Sequence, residues 1–296
     1  MTRRPARAAV AAKPVDEHRI GLALGGGGAR GLAHITVLEA FDDLGLVPCA
    51  ISGTSIGAMV GSAYAAGIPA RDLREHVHDV LRSRTRVVRR IFGERPGTLF
   101  DLIDFSPFSS ALLDGERLLK IFMPLAVPET FSELRIPFVA VATDFYDRSP
   151  VVLADGPLRR AVAASIALPG LISPQTIDGR LLIDGGMVNP LPFDQLQGKA
   201  DFTVAVDVIG GNPRQGNRRP SRIELIYRSS QIMQYQIVKM QLREHPVDIL
   251  IVPDVDRYRV LEFFKARAIM ESGESARDEL KHRLDALITG GWRRTP

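Results

Sequence analysis

The sequence holds a single cysteine, Cys49, which excludes an intramolecular disulfide and a cysteine-based metal cluster, so nothing points to an oxidising compartment. Cys49 lies in the apolar run Val47 to Ile51 and is expected as a buried core thiol. No stretch approaches the roughly 18 apolar residues of a membrane span, and Ala8 to Ala12 is too short for the core of a signal peptide. A cytoplasmic protein is the expectation. Acids are missing from the start of the chain: Arg3, Arg4, Arg7 and Lys13 all precede Asp16, so the net charge of +4 is unevenly spread. Residues 1–18 are therefore expected to form a disordered basic tail. There is no internal repeat, no metal-ligand spacing and no nucleic-acid recognition module.

What is present is ordinary for a soluble α/β protein: 296 residues, 45% apolar and 24% charged. One domain is expected over 19–290, with a short tail at 291–296. Ile20 to Leu24 reads as a strand, followed by Leu32, Ile35, Leu38 and Phe41 at helical spacing. Val47 to Ile51 reads as the second strand. A helix then begins at Ser55 and is capped by Gly67; its small residues Gly57, Ala58, Gly61 and Ser62 predict close approach to a sheet. Further strands are expected at Phe138 to Ala142, Leu181 to Ile183, Phe202 to Val206 and Ile249 to Val252, and helices at Leu158 to Ile166 and from about Ser221 to Leu242. Gly210 to Pro220 reads as a loop. Apolar strands alternating with helices predict a mainly parallel sheet covered on both faces.

Two glycine motifs punctuate the first units. Gly53-Thr54-Ser55-Ile56-Gly57 has the form Gly-x-Ser-x-Gly, in which a serine on a sharp strand-to-helix turn is pushed out as a nucleophile. Gly25-Gly26-Gly27-Gly28-Ala29-Arg30-Gly31, one unit earlier, can turn backbone N–H groups towards the negative oxygen of an acyl intermediate. The same loop satisfies the dinucleotide pattern G-x-G-x-x-G, which requires a carboxylate at the end of the second strand. That position reads Cys49-Ala50-Ile51-Ser52 and offers none.

A serine nucleophile needs a base. His245 and His282 follow the serine but read as surface residues; His76 and His78 lie in a charged helix, and His34 follows the glycine loop. Asp184, at the end of an apolar strand and followed by Gly185 and Gly186, is the stronger candidate. Asp144 and Asp207 also sit at strand ends, where capping a helix or binding a loop backbone is the alternative. Arg82, Arg84, Arg86, Arg89 and Arg90, interleaved with Val87, Val88, Ile91 and Phe92, fit either a contact with anionic lipid or a solvated helix end; 82–117 is a candidate lid or membrane-contact segment.

Taken together, the glycine loop, the elbow around Ser55, Asp184-Gly185-Gly186, Ala164 to Gly170 and Asn189-Pro190-Leu191-Pro192 resemble the patatin-like phospholipases over roughly Ile20 to Val206. The likeness is strongest to short bacterial members related to the catalytic domain of neuropathy target esterase. The resemblance implies a three-layer α/β/α sandwich and metal-free hydrolysis of lipid acyl esters, phospholipid or lysophospholipid, through a Ser-Asp dyad and without a cofactor. By it, Ser55 is the nucleophile, Asp184 the base, and Gly26, Gly27 and Gly28 the oxyanion hole; Arg30, Gly31, Gly53, Gly57, Gly185 and Gly186 support the loops. Two rivals stand beside it: a non-catalytic lipid-binding or regulatory protein of the same fold, and a nucleotide-binding protein using the glycine loop.

Overall fold

A computed structural model describes residues 19–83, 85, 87, 113–210 and 222–289. The basic tail 1–18, the arginines at 84, 86, 89 and 90, most of the 82–117 segment, the 211–221 loop and the tail 291–296 lie outside the described residues. In chain order the strands are β1 (Ile20–Leu24), β2 (Ala50–Thr54), β3 (Phe138–Asp144), β4 (Pro150–Leu153), β5 (Gln175–Ile177), β6 (Arg180–Asp184), β7 (Phe202–Val206) and β8 (Ile249–Ile251). The helices are α1 (Ala33–Leu44), α2 (Ile56–Ala65), α3 (Ala70–Leu81), α4 (Gly115–Phe122), α5 (Leu158–Ser165), α6 (Arg222–Glu244), α7 (Ala266–Glu271) and α8 (Glu274–Ile288).

The strands join in one sheet ordered β5-β6-β3-β2-β1-β7-β8, with β4 also paired to β3. From β3 to β8 the pairing is parallel; β4, β5 and β6 add antiparallel partners at the other end. Alternation along β1 divides the core. Leu22 and Leu24 join the larger cluster with α1, α2, α7 and α8, whereas Ala23 joins a smaller one with Leu191, Phe193, Leu196 and Val238 of α6. Helical layers thus cover both faces, as the alternation predicts. The second face is built of small side chains so that the short 3₁₀ segment Phe193–Leu196 can approach: a Cβ on Gly21 would lie 2.9 Å from Ala200 Cβ and 3.3 Å from Leu196 Cδ1.

Several boundaries differ from the sequence reading. The second strand begins at Ala50 and continues through Gly53 and Thr54, three residues later than its apolar run, because Val47 is exposed and Cys49 only half-buried. The Cys49 thiol contacts the Lys199 carbonyl at 3.5 Å at the strand entrance and is not a core residue. The strands β4 and β5 are four and three residues long and only partly buried, and the sequence reading did not name them; β5 pairs with β6 through Asp178-Gly179, both at positive φ, as a two-residue hairpin turn of the primed kind demands. Gly67 ends α2 at φ 87 as expected. Glycines also fix how near α2 lies to the sheet: a Cβ on Gly57 would collide with the Leu24 carbonyl, and one on Gly53 would come within 2.6 Å of the Gly57 carbonyl. Among the described residues no helix is long and apolar enough to cross a membrane.

Candidate active site

Parallel strands deliver their C-terminal ends to one edge, where loops gather chemistry-bearing residues. β2 ends there at Thr54, whereas β6 runs antiparallel to β3 and back from that edge, so that its last residue, Asp184, pairs with Ala142, one place beyond the Val141 that pairs with Thr54. Ser55, the next residue after β2, has φ 56 and ψ −123, a backbone conformation that L-residues rarely adopt. The strain is held by bonds on each side. Ser55 N–H donates to Ser165 Oγ at 2.9 Å, Ser165 Oγ–H donates to the Val141 carbonyl at 2.6 Å, and Thr54 Oγ1–H donates to the Asn189 carbonyl at 2.8 Å.

The result is a direct contact between hydroxyl and carboxylate: Ser55 Oγ–H donates to Asp184 Oδ2 at 2.6 Å. Asp184 is 3% exposed. Its other oxygen, Oδ1, accepts the Gly186 N–H at 2.8 Å, its N–H donates to the Ala167 carbonyl at 3.0 Å, and its carbonyl accepts from Thr143 Oγ1 at 2.8 Å. Burial pushes the Asp184 carboxyl up to about 6, against the opposing hydrogen bonds from Ser55 and Gly186. A carboxylate shifted in this direction, with a serine hydroxyl bonded to it, has the geometry to accept that proton near neutral pH. Gly185 is required by packing, since a Cβ there would strike the Val141 carbonyl.

The glycine loop reaches the same place. A Cβ on Gly26 would sit 3.4 Å from Ser55 Cβ. Three bonds fix the peptide that precedes the turn: Gly25 N–H to Val206 at 3.0 Å, Gly26 N–H to Pro190 at 2.9 Å, and His34 Nε2 to the Gly25 carbonyl at 2.8 Å. The Gly26 N–H is therefore spent on anchoring, which corrects its assignment as an oxyanion donor. Gly27 and Gly28 follow it, with Gly28 at φ 59 and in the wall of the cavity that Ser55 also lines. Gly31 lies so near Ile56 that a Cβ would overlap its side chain.

Arg30, 4% exposed, turns away from the serine. Its guanidinium donates to the carbonyls of Tyr258 at 2.7 Å, Ile209 at 2.5 Å and Asp256 at 3.4 Å, tying the loop to two neighbouring segments. Asp207 beside it binds the Ile209 N–H at 2.9 Å, and Asp144 binds the N–H groups of Tyr146 and Asp147, both at 3.0 Å. These two strand-end aspartates hold loop backbone. None of the described histidines bonds to Ser55 or Asp184. His34 is fully buried and held down to about 4 by desolvation; His76 bonds to the Phe122 carbonyl, and His245 and His282 are exposed.

Sequence reasoning missed the part played by one residue and left that of another, His34, open. Ser165 carries a hydroxyl that holds the Ser55 backbone, and His34 holds the glycine loop. Ser165 lies in Ala164 to Gly170, a segment recognisable by resemblance although its apolar neighbours conceal the one polar contact. Next to Ser55 opens a cavity of about 390 Å³, within the usual size of small-molecule sites. Its wall includes Met59, Val80, Leu119, Phe122, Ile166 and Phe264, and among the described residues Ser55 is its one polar side chain. Val87, from the basic segment, is buried there and points inward.

Comparison with known proteins places this geometry in context. The family model described as patatin-like phospholipase matches residues 22–196. An uncharacterized NTE family protein of Mycobacterium tuberculosis is 39% identical over 207 residues, covering 70% of this chain and 53% of that protein. Patatin-like phospholipase domain-containing protein 6 of Homo sapiens is 32% identical over 200 residues, covering 67% of this chain and 14% of the human protein. The chain thus spans about half the length of the mycobacterial relative. Among solved structures, VipD from Legionella pneumophila aligns over 90% of this chain and 67% of its own, at 15% identity and a TM-score of 0.49. With a family model matched from β1 into the segment that follows Asp184, the chain belongs to the patatin-like phospholipase family.

Proposed function

We propose that the protein is a serine hydrolase that cleaves acyl esters of lipids, phospholipid or lysophospholipid, through a Ser55–Asp184 dyad. The observation that carries this reading is the 2.6 Å hydrogen bond from a strained serine to a buried carboxylate at the mouth of an apolar cavity. Membership of a family described as phospholipases supports the substrate class.

Asp184 takes the proton as Ser55 Oγ bonds to the ester carbonyl carbon, and the carbonyl π electrons move to the oxygen. The Gly27 and Gly28 N–H groups receive that oxyanion, fixed donors costing no reorganisation during the step. Collapse breaks the carbon–oxygen bond, and Asp184 passes its proton to the departing alcohol. Asp184 then takes a proton from water, whose oxygen attacks the acyl-serine; the acid leaves and Ser55 recovers its proton. The acyl chain lies in the apolar cavity, where each methylene removed from water contributes about 0.8 kcal/mol.

Ser55→Ala deletes one hydroxyl at a half-buried turn. It is expected to abolish hydrolysis of a p-nitrophenyl ester while leaving circular dichroism and the melting transition in place. Activity near the parent's in a folded variant contradicts the mechanism. A folded protein that binds lipid without turnover, even with Ser55 intact, would favour the non-catalytic rival. Tight NAD or ATP binding without serine acylation would favour the nucleotide-binding one.

A further inference from the structure

We propose that the outward face of α6 is a docking surface for anionic lipid membranes. Six of the fourteen large apolar side chains exposed among the described residues belong to this helix. Leu225 and Ile226, Ile232 and Met233, and Met240 are 51, 67, 59, 60 and 60% exposed. They recur at steps of seven or eight residues, about two turns, and so share one face. The opposite face is occupied: Val238 packs in the smaller core, Gln241 Nε2 donates to Asn189 Oδ1 at 3.1 Å, and Gln234 lies against Gly186. The stripe is therefore not the core side of a misread helix.

Charge selects the occupant. Over Arg222–Glu244 the helix carries four basic residues and two acidic ones, Glu224 and Glu244, which lie at its two ends and leave the apolar stripe between them bordered by cations. Exposed Lys239 and Arg243 stand within the outward half of the helix, beside Met240, and neither makes an ion pair among the described residues. A helix with an apolar face bordered by cations fits the headgroup boundary of an anionic bilayer, where the side chains enter the acyl region and the cations meet phosphate. A second copy seated on the same face brings like charges together along the apolar strip. Because Gln234 and Gln241 tie the inner face to the loop that follows Asp184, the bound bilayer would rest on the layer supporting the candidate active site.

Binding alone tests this, so the surface can fail while the hydrolase reading stands. The full chain carrying Ser55→Ala, which leaves the vesicles intact, is sedimented with vesicles of phosphatidylglycerol and phosphatidylcholine, or of phosphatidylcholine only. Preferential binding to the anionic vesicles is expected. Lys239→Glu with Arg243→Glu should weaken it by about 20-fold or more, given roughly fivefold for each cation near such a surface. Ile232→Gln with Met233→Gln and Met240→Gln should weaken it comparably, while Leu125→Gln, at a fully exposed site elsewhere, should not. With Ser55 restored, the α6 variants should hydrolyse a soluble ester at the parent rate, which shows that they fold. Parental vesicle binding by both folded α6 variants overturns the proposal, as does failure of the parent to bind anionic vesicles. A dimer dissolved by the Gln substitutions, without vesicle binding, overturns it in favour of a second copy.

Discussion

At the scale of the residue, Asp184 is placed where burial costs stability, and the proposed mechanism makes use of that same burial. Its carboxyl is raised to about 6 chiefly by burial, so between about pH 4 and 6 the folded chain holds a proton that the unfolded chain has released. Stability from this group therefore falls as pH rises through that window, and above it the buried charge costs up to about 3 kcal/mol. Asp184→Asn keeps the shape and still accepts the Gly186 N–H, but cannot take the serine proton. It should be nearly as inactive as Ser55→Ala and melt higher at pH 7, a combination that simple damage to the fold does not produce. For the parent, kcat/KM should rise with pH on a limb centred near 6; a limb displaced by more than a unit would assign the titration to another group. His34 supplies the contrast. It stays neutral to about pH 4 and donates Nε2–H to the Gly25 carbonyl, so His34→Leu leaves that buried oxygen unpaired. Its kcat should drop at least tenfold with little change in KM, and His34→Gln, which restores an N–H donor, should recover most of it. Replacement of His76, His78, His245 or His282 by Gln should leave substantial turnover, since a triad histidine would cost several orders of magnitude.

At the scale of the element, the site depends on how closely loop, helix and sheet approach. A Cβ on Gly27 would meet Val208 Cγ2 at 2.8 Å and its carbonyl at 3.0 Å, so Gly27→Ala must shift the loop. Turnover should fall by on the order of 100-fold, the loss typical of one oxyanion contact. Steady-state kinetics on a soluble ester, with a melting curve as control, measures this. The sequence made much of this arrangement legible because the chemistry sits where strand ends and glycines coincide. Ile20–Leu24 and Phe202–Val206 are apolar runs matching their strands residue for residue, since strands buried on both faces carry no alternation to misread. β4 is a four-residue apolar stretch headed by a proline and β5 a three-residue polar one, both partly exposed, so pairing with neighbours and not length or composition defines them. The Gly26 N–H could not be separated from those of Gly27 and Gly28 in a run of identical residues, because its acceptor, the Pro190 carbonyl, lies far along the chain. Ser165 was hidden for the same reason: its partners Ser55 and Val141 meet it only in the folded sheet.

At the scale of the whole molecule, the cavity is a joint product of distant segments. Met59 comes from α2, Val80 from α3, Leu119 and Phe122 from α4, Ile166 from the turn after α5, and Phe264 from the segment before α7. Under the proposed function, catalysis and acyl recognition are separable: the sheet edge holds Ser55 and Asp184, and the packed helices shape the apolar wall. On p-nitrophenyl esters, kcat/KM should climb with chain length from acetate, by up to about fourfold per methylene. Met59→Trp should move the optimum towards shorter chains with little effect on acetate. The central claim, that Ser55 is a nucleophile made reactive by Asp184, is tested most directly by treating the folded protein with a fluorophosphonate probe and mapping the modified residue. The account predicts one label, on Ser55, with labelling sharply slowed by Asp184→Asn and retained when His245 or His282 is replaced. A folded, unlabelled parent, a label on another residue, or undiminished labelling of Asp184→Asn would contradict it.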